Sequence, residues 1–155
     1  MCHVARSDLR ENRPEYRLLD ISSLKSHEEV DPKHLTALLE QIMSDGCLKR
    51  SIAVDKSTSV VLDGEHRFQS LRRLNCRIVP VVLVDYMSED VLLFSRRKDF
   101  IFLTKSDVIG AALSRRLLPP KTTKHMINSN GKLKHISSIE KLVNMPLTTL
   151  QGEMR

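Results

Sequence analysis

The sequence has no tryptophan, two tyrosines and four phenylalanines. It therefore offers little aromatic platform on which single-stranded nucleic-acid bases would stack. It has three cysteines, Cys2, Cys47 and Cys76. They are too few and too scattered for a disulfide framework, and they lack zinc spacing. Cys2 beside His3 is a weak metal pair, read as part of a frayed terminus. A reduced, intracellular setting is the expectation, and the cytoplasm the expected location. No apolar run approaches about 18 residues, which excludes a membrane-spanning helix. The opening stretch MCHVARSDLRENRPEYR is charged and has no apolar centre, so it is not read as a secretory signal.

What is present in excess is positive charge, and it is unevenly placed. The chain of 155 residues has a formal charge of +6. Residues 1–92 carry 13 basic and 15 acidic side chains, and residues 93–155 carry 12 and 4, so the two parts have net charges of −2 and +8. A basic face seeks phosphate on a nucleic acid, a lipid surface or a small molecule, or is simply solvated. The length suits one domain, and 41% hydrophobic residues suffice for its core.

Three parts are expected: a flexible lead-in over 1–15, a body over 16–145 and a tail over 146–155. YRLLDISSL (16–24) has strand character. Asp31 followed by Pro32 is a helix start. Leu35, Leu38, Leu39, Ile42 and Met43 then mark one face of an amphipathic helix that Gly46 ends. Residues 51–55 and 59–63 read as short strands, and EHRFQSLRRLN as a helix with Phe68, Leu71 and Leu74 on one side. RIVPVVLVDY is strand-like, and Pro80 inside it predicts an edge strand or a bulge. Residues 90–103 suit either strand or helix. A helix is expected from Ser106 to the di-proline Pro119-Pro120, then a turn at 128–132 and a last segment that packs back on the body. This order is α+β with mixed pairing.

Three constellations carry possible chemistry. In Asp63-Gly64-Glu65-His66-Arg67, a strand ends and a helix opens, which leaves free N–H groups and a positive dipole end for an anion. Gly64 allows close approach, and Arg67 supplies a fork of donors in the first turn. Asp63 would hold a divalent cation or cap the helix. In Lys121-Thr122-Thr123-Lys124-His125, cations and hydroxyls crowd together after a rigid di-proline, as several phosphate or carboxylate oxygens require. His27-Glu28 places an imidazole beside a loop carboxylate, a possible general base. Each has a bland reading as well: a cap and turn, a basic surface loop, and an exposed acidic loop. Arg96-Arg97-Lys98 is read as surface.

VVLDGEHRFQSLRRLNCRIVPVVLVDY resembles the core of the ParB–sulfiredoxin superfamily, which implies a small mixed sheet with packed helices. Sulfiredoxins carry their cysteine where Glu65 stands, so that chemistry is absent. The sequence is more narrowly similar to the free L-serine kinases of this superfamily. They combine K-P-H-E before the first helix, D-G-H-H-R, and a late P-K-T-T-R-H. Here the matching residues are Lys25-Ser26-His27-Glu28, Asp63-Gly64-Glu65-His66-Arg67 and Pro120-Lys121-Thr122-Thr123-Lys124-His125, in the same order. The resemblance implies phosphoryl transfer from ADP or ATP to the hydroxyl of free L-serine, with Mg2+. It makes Glu28 the base and puts Asp63 at the reacting centre near the metal. Gly64, Glu65, His66 and Arg67 fall at the phosphate-binding helix start, and Lys121, Thr122, Thr123, Lys124 and His125 on the late loop. His27, Thr123 and His125 fall near the amino acid.

The departures are specific. Glu65 replaces a histidine and adds negative charge beside the phosphate site. Lys124 replaces an arginine. The family's aromatic residue near the substrate has no match around Phe94–Arg97, and a segment that longer members insert before the last motif is missing. A second reading is a non-catalytic ParB-type nucleotide-binding or DNA-associated regulatory module. It rests on the +8 part and on Gly64-Glu65-His66-Arg67, and steeply salt-dependent DNA binding would mark it. No helix-turn-helix is seen after the motif, which makes DNA the less expected partner. No membrane partner is expected.

Overall fold

The computed structural model describes residues 14–152. The expected lead-in, apart from its last two residues, and the Cys2–His3 pair lie outside the described residues. Among the described residues nine strands and four α-helices follow one another: β1 (Glu15–Asp20), α1 (Pro32–Asp45), β2 (Cys47–Arg50), β3 (Ile52–Asp55), β4 (Val61–Asp63), α2 (Glu65–Arg73), β5 (Ile78–Val84), β6 (Val91–Ser95), α3 (Lys105–Ser114), β7 (Thr123–Ser129), β8 (Lys132–His135), β9 (Leu142–Pro146) and α4 (Leu147–Leu150). The fold is α+β, as the sequence implies. No helix among the described residues is long and apolar enough to cross a membrane.

The central sheet has the order β1-β5-β3-β4. Only the β3–β5 pair is parallel. The sheet separates two cores, because strand side chains alternate between its faces. Ile52, Val54 and Val61 point to one face, where α1 and α2 cover them with Ile42, Phe68 and Leu71. Ala53, Val60 and Leu62 point to the other, where β6 and α3 contribute Val91 and Val108 around Tyr86. β4 therefore runs between both cores, and its last residue, Asp63, emerges at their common edge.

Local signals explain most elements. Asp31 caps α1 by accepting the Lys33 N–H, and Gly46, at φ 69°, closes it with its N–H on Ile42 O. Leu35 and Ile42 are buried, but Met43 on the expected face is exposed. α3 starts with a capping box between Thr104 and Asp107. It ends at Ser114, five positions before the di-proline, because Arg115 adopts a left-handed cap at φ 59° and donates to Ala111 O. Residues 91–95 are strand. Asn130 and Gly131, both at positive φ, turn β7 into β8, the dipeptide that tight hairpins prefer.

The expectation for Pro80 needs correction. β5 is neither an edge nor bulged at Pro80, since β1 and β3 flank it. The parallel ladder begins at Ile52–Val81, one residue beyond Pro80, so the missing donor falls outside that ladder. The last segment packs back on the body, as expected. β9 pairs with β2, a strand that the pattern did not mark, and Leu150 of α4 is wholly buried in the first core.

Candidate active site

Three distant stretches meet at the edge where β4 ends. Residues 25–29 form an extended strap held on both sides. Lys25 N–H donates to Ser59 O, and Val61 N–H to Lys25 O. On the far side Leu118 N–H donates to His27 O, and Glu29 N–H to Leu118 O. The strap therefore cannot swing away without breaking ladder hydrogen bonds. Across it, β4 passes into α2 and the 119–125 stretch enters β7. Between them lies a cleft of about 420 Å³. His27, Glu28, Asp63, Gly64, Glu65, His66, Arg67, Lys121, Thr123, Lys124 and His125 all line it. Of the residues to which the resemblance gives a site role, only Thr122 does not. It is fully buried, and its hydroxyl donates to Pro119 O at 2.7 Å.

Glu28 is the most constrained carboxylate in the cleft. Its Oε1 accepts the N–H groups of Thr122 at 3.0 Å and Thr123 at 2.8 Å, and the Thr123 hydroxyl at 2.9 Å. Three donors fix one oxygen. Oε2 has no protein partner among the described residues and is left to the cleft. Lys121, at φ 58°, makes the turn that brings both amides onto Glu28. Its Nζ lies 3.8 Å from Asp31.

Opposite Glu28, α2 opens without a side-chain cap. Gly64 is the cap residue, at φ 101°, and no side chain accepts its first amides. Those N–H groups and the helix dipole face the cleft as an anion seat. Asp63 does not cap; it accepts from Arg67 at 3.2 Å. His66 is held neutral, since its Nε2 accepts the Asp31 N–H at 3.0 Å. Burial, then the adjacent His34 ring stacked 4.0 Å away, push it below the ordinary histidine range.

Arg67 is placed differently from its expected role. Its guanidinium donates to Ser51 O at 2.7 Å and to both Glu140 oxygens at 3.0 and 2.9 Å, besides Asp63. The fork is thus engaged by the protein and aligns Asp63. The cations left to the cleft are Lys121, Lys124 and Arg96. The sequence reading left Arg96 on the surface. Its N–H on Thr122 O at 2.8 Å ties it to the late loop, a link that no local pattern reveals. His34 and His135 also line the cleft and were missed.

Glu140 was missed too, because nothing around it in the chain signals a site. Burial, then its contact with Asp63, push its carboxyl up to about 8 from an ordinary 4.5, against the pull of Arg67. A carboxyl raised on folding binds more protons in the native state, so its contribution to stability is complete below pH 4.5 and is lost as pH rises through about 8. Melting temperature should therefore fall across that window, and Glu140→Gln should flatten the slope. An unchanged slope in the variant would refute this assignment.

His125 is 2% exposed, and its Nε2 faces the Tyr86 hydroxyl at 2.8 Å. Burial, then the charge of His27, push it down to about 3, so it stays neutral. The ring is a fixed wall of the cleft. Glu65 turns inward. Its Oε1 lies 3.1 Å from His27 Nδ1, which takes its charge away from the helix amides.

No protein-family model matches the sequence. Over 80 residues it is 35% identical to an ATP-dependent L-serine kinase of Staphylothermus marinus, covering 49% of this chain and 32% of that one. Over 96 residues it is 26% identical to an ADP-dependent L-serine kinase of Thermococcus kodakarensis, covering 59% and 40%. The aligned stretch thus spans well under half the length of these curated relatives. In three dimensions the chain matches a free serine kinase in complex with AMP, with a TM-score of 0.71 at 15% identity, over 89% of this chain and 94% of that one. The chain has the free serine kinase fold. On that fold the strap, the helix start and the late loop share one cleft, so the three motifs of the sequence resemblance form a single constellation.

Proposed function

We propose that this chain is a nucleotide-dependent kinase that transfers a phosphoryl group from ADP or ATP to the hydroxyl of free L-serine, giving O-phospho-L-serine. Residues 16–145 are its catalytic body. The observation that carries the reading is Glu28, fixed through Oε1 with Oε2 open to the cleft, facing the uncapped start of α2. The amides of Glu65, His66 and Arg67 receive phosphate oxygens, and Lys121, Lys124 and Arg96 balance the remaining charge. The serine hydroxyl sits against Glu28 and attacks phosphorus in line. The new O–P bond forms as the bond to the nucleotide's leaving oxygen breaks, and the hydroxyl proton passes to Glu28 Oε2. Thr123 and the wall around His27 and His125 shape the acceptor side.

Mg2+ fits this donor set. That ion is usually held by one or two carboxylates together with substrate phosphates, and not by a protein cage. Asp63, a single carboxylate at the helix start, is the residue that would hold it. When bound, the ion neutralises phosphate charge. Arg67 and Glu140 keep Asp63 aimed at that position.

The test is incubation with serine, magnesium and either ADP or ATP, followed by phosphorus NMR. Phosphoserine with one or both donors is expected. No phosphoserine with either would refute the kinase reading.

A further inference from the structure

Glu65 departs from the D-G-H-H-R pattern that the sequence otherwise resembles, and its surroundings give it a definite task. The hydrogen bonds around His27 can be assigned from their acceptors. Val61 O, 2.7 Å from His27 Nδ1, can only accept, so Nδ1 carries a proton. The Thr123 hydroxyl has one proton, and the Glu28 carboxylate at 2.9 Å takes it. With that proton assigned to Glu28, Thr123 Oγ1 accepts from His27 Nε2, 3.0 Å away. On this assignment both ring nitrogens are protonated, and the ring, 1% exposed, is an imidazolium. Such a charge needs a partner. Glu65 supplies it: Oε1 lies 3.1 Å from Nδ1 and accepts the His27 backbone N–H at 3.0 Å.

We propose that Glu65, acting through the His27 imidazolium and the Thr123 hydroxyl, is the positioning residue that orients Glu28 as the base. The proposal rests on the kinase reading for the role of Glu28. The chain of contacts is Glu65 carboxylate, His27 imidazolium, Thr123 hydroxyl, Glu28 carboxylate. While His27 holds two protons, the threonine hydroxyl has one orientation only, with its proton on Glu28 Oε1. If His27 lost its Nε2 proton, that nitrogen would become an acceptor and compete for the hydroxyl. Glu28 would then lose one of its three donors.

The groups facing His27 support this state. Burial opposes its charge, but Glu65 on α2 and Glu28 on its own strap outweigh that and raise it above the ordinary histidine range. His125 on β7 stands edge-on with its ring 5.8 Å away and, being neutral, adds no competing charge.

Two measurements test this on the full chain. In the first, nitrogen-15 NMR of the histidine side chains near neutral pH should show both His27 nitrogens protonated, with the signals assigned by their loss in His27→Gln. A bare His27 nitrogen would overturn the proposal. In the second, Glu65→Gln keeps the shape and removes the charge. Its kcat should fall about tenfold, a usual scale for a lost orienting partner, with the KM for nucleotide unchanged. That kcat should recover as pH drops below about 6.5, the ordinary histidine value, whereas the wild type should show no such rise. A Glu65→Gln protein with wild-type kcat and pH profile would also overturn it. A wild-type protein that forms no phosphoserine would instead refute the kinase reading while leaving the histidine spectrum as it is.

Discussion

Glu28→Gln should fold like the wild type, still bind nucleotide, and lose about 10²–10⁴-fold in kcat, the range supplied by a positioned general base. The glutamine carbonyl can take the place of Oε1 and accept from the Thr122 and Thr123 amides and the Thr123 hydroxyl, all within 2.8–3.0 Å of it now. Its NH2 group then occupies the Oε2 position, where no proton can be received. The variant therefore separates chemistry from architecture. Glu28→Ala does not, because it also strips the acceptor from three donors and frees the late loop. The measurement is phosphoserine formation against serine concentration, with nucleotide binding followed separately. A Glu28→Gln protein within about tenfold of wild-type kcat would remove Glu28 from the role of base.

The largest effect on stability is expected at Gly64. Its φ of 101° is a conformation that side chains rarely adopt. A Cβ built there would lie 2.6 Å from Ile52 Cγ2 and 2.9 Å from an Arg67 guanidinium nitrogen. Ile52 is fully buried in the first core, and a β-branched side chain there has no free rotamer to retreat into. Arg67 is anchored to Ser51, Asp63 and Glu140, so it has nowhere to move either. Backbone strain and overpacking together should cost Gly64→Ala about 2–6 kcal/mol, against a typical total of about 5–15 kcal/mol. Denaturant titration reads this directly. A loss under about 1 kcal/mol would mean that the β4–α2 turn relaxes freely, contrary to the packing described.

Much of this was legible along the chain. The start of α1 at Asp31-Pro32, its end at Gly46 and the turn at Asp63-Gly64 rest on interactions within a few residues, which is why spacing and residue type reveal them. The motif order also indicated that residues near 28, 64 and 122 would share one site. Other features depend on partners that no window contains. Arg67 looks like a phosphate fork in its first-turn position, but Glu140, 73 residues away, takes up its donors. Pro80 looks like an edge residue, but β1 pairs beside it at Leu18 and β3 joins on the other side from Val81. The di-proline looks like the helix stop, but Arg115 caps α3 earlier.

The sequence by itself determined the α+β class, the helix caps, the glycine at the anion seat and the set of side chains able to do the chemistry. It did so because binary pattern, capping and backbone freedom are short-range properties. Only the tertiary structure decided which of those side chains face the cleft and which are committed elsewhere. Arg67 is tied down and Arg96 faces the cleft; Thr122 is buried and Thr123 holds Glu28. The Glu65 charge, which on the sequence seemed to burden a phosphate site, is turned inward to His27. Hydrogen-bond commitments of this kind form between strands and loops brought together by burial of two cores on opposite faces of one sheet, and distance along the chain carries no record of them.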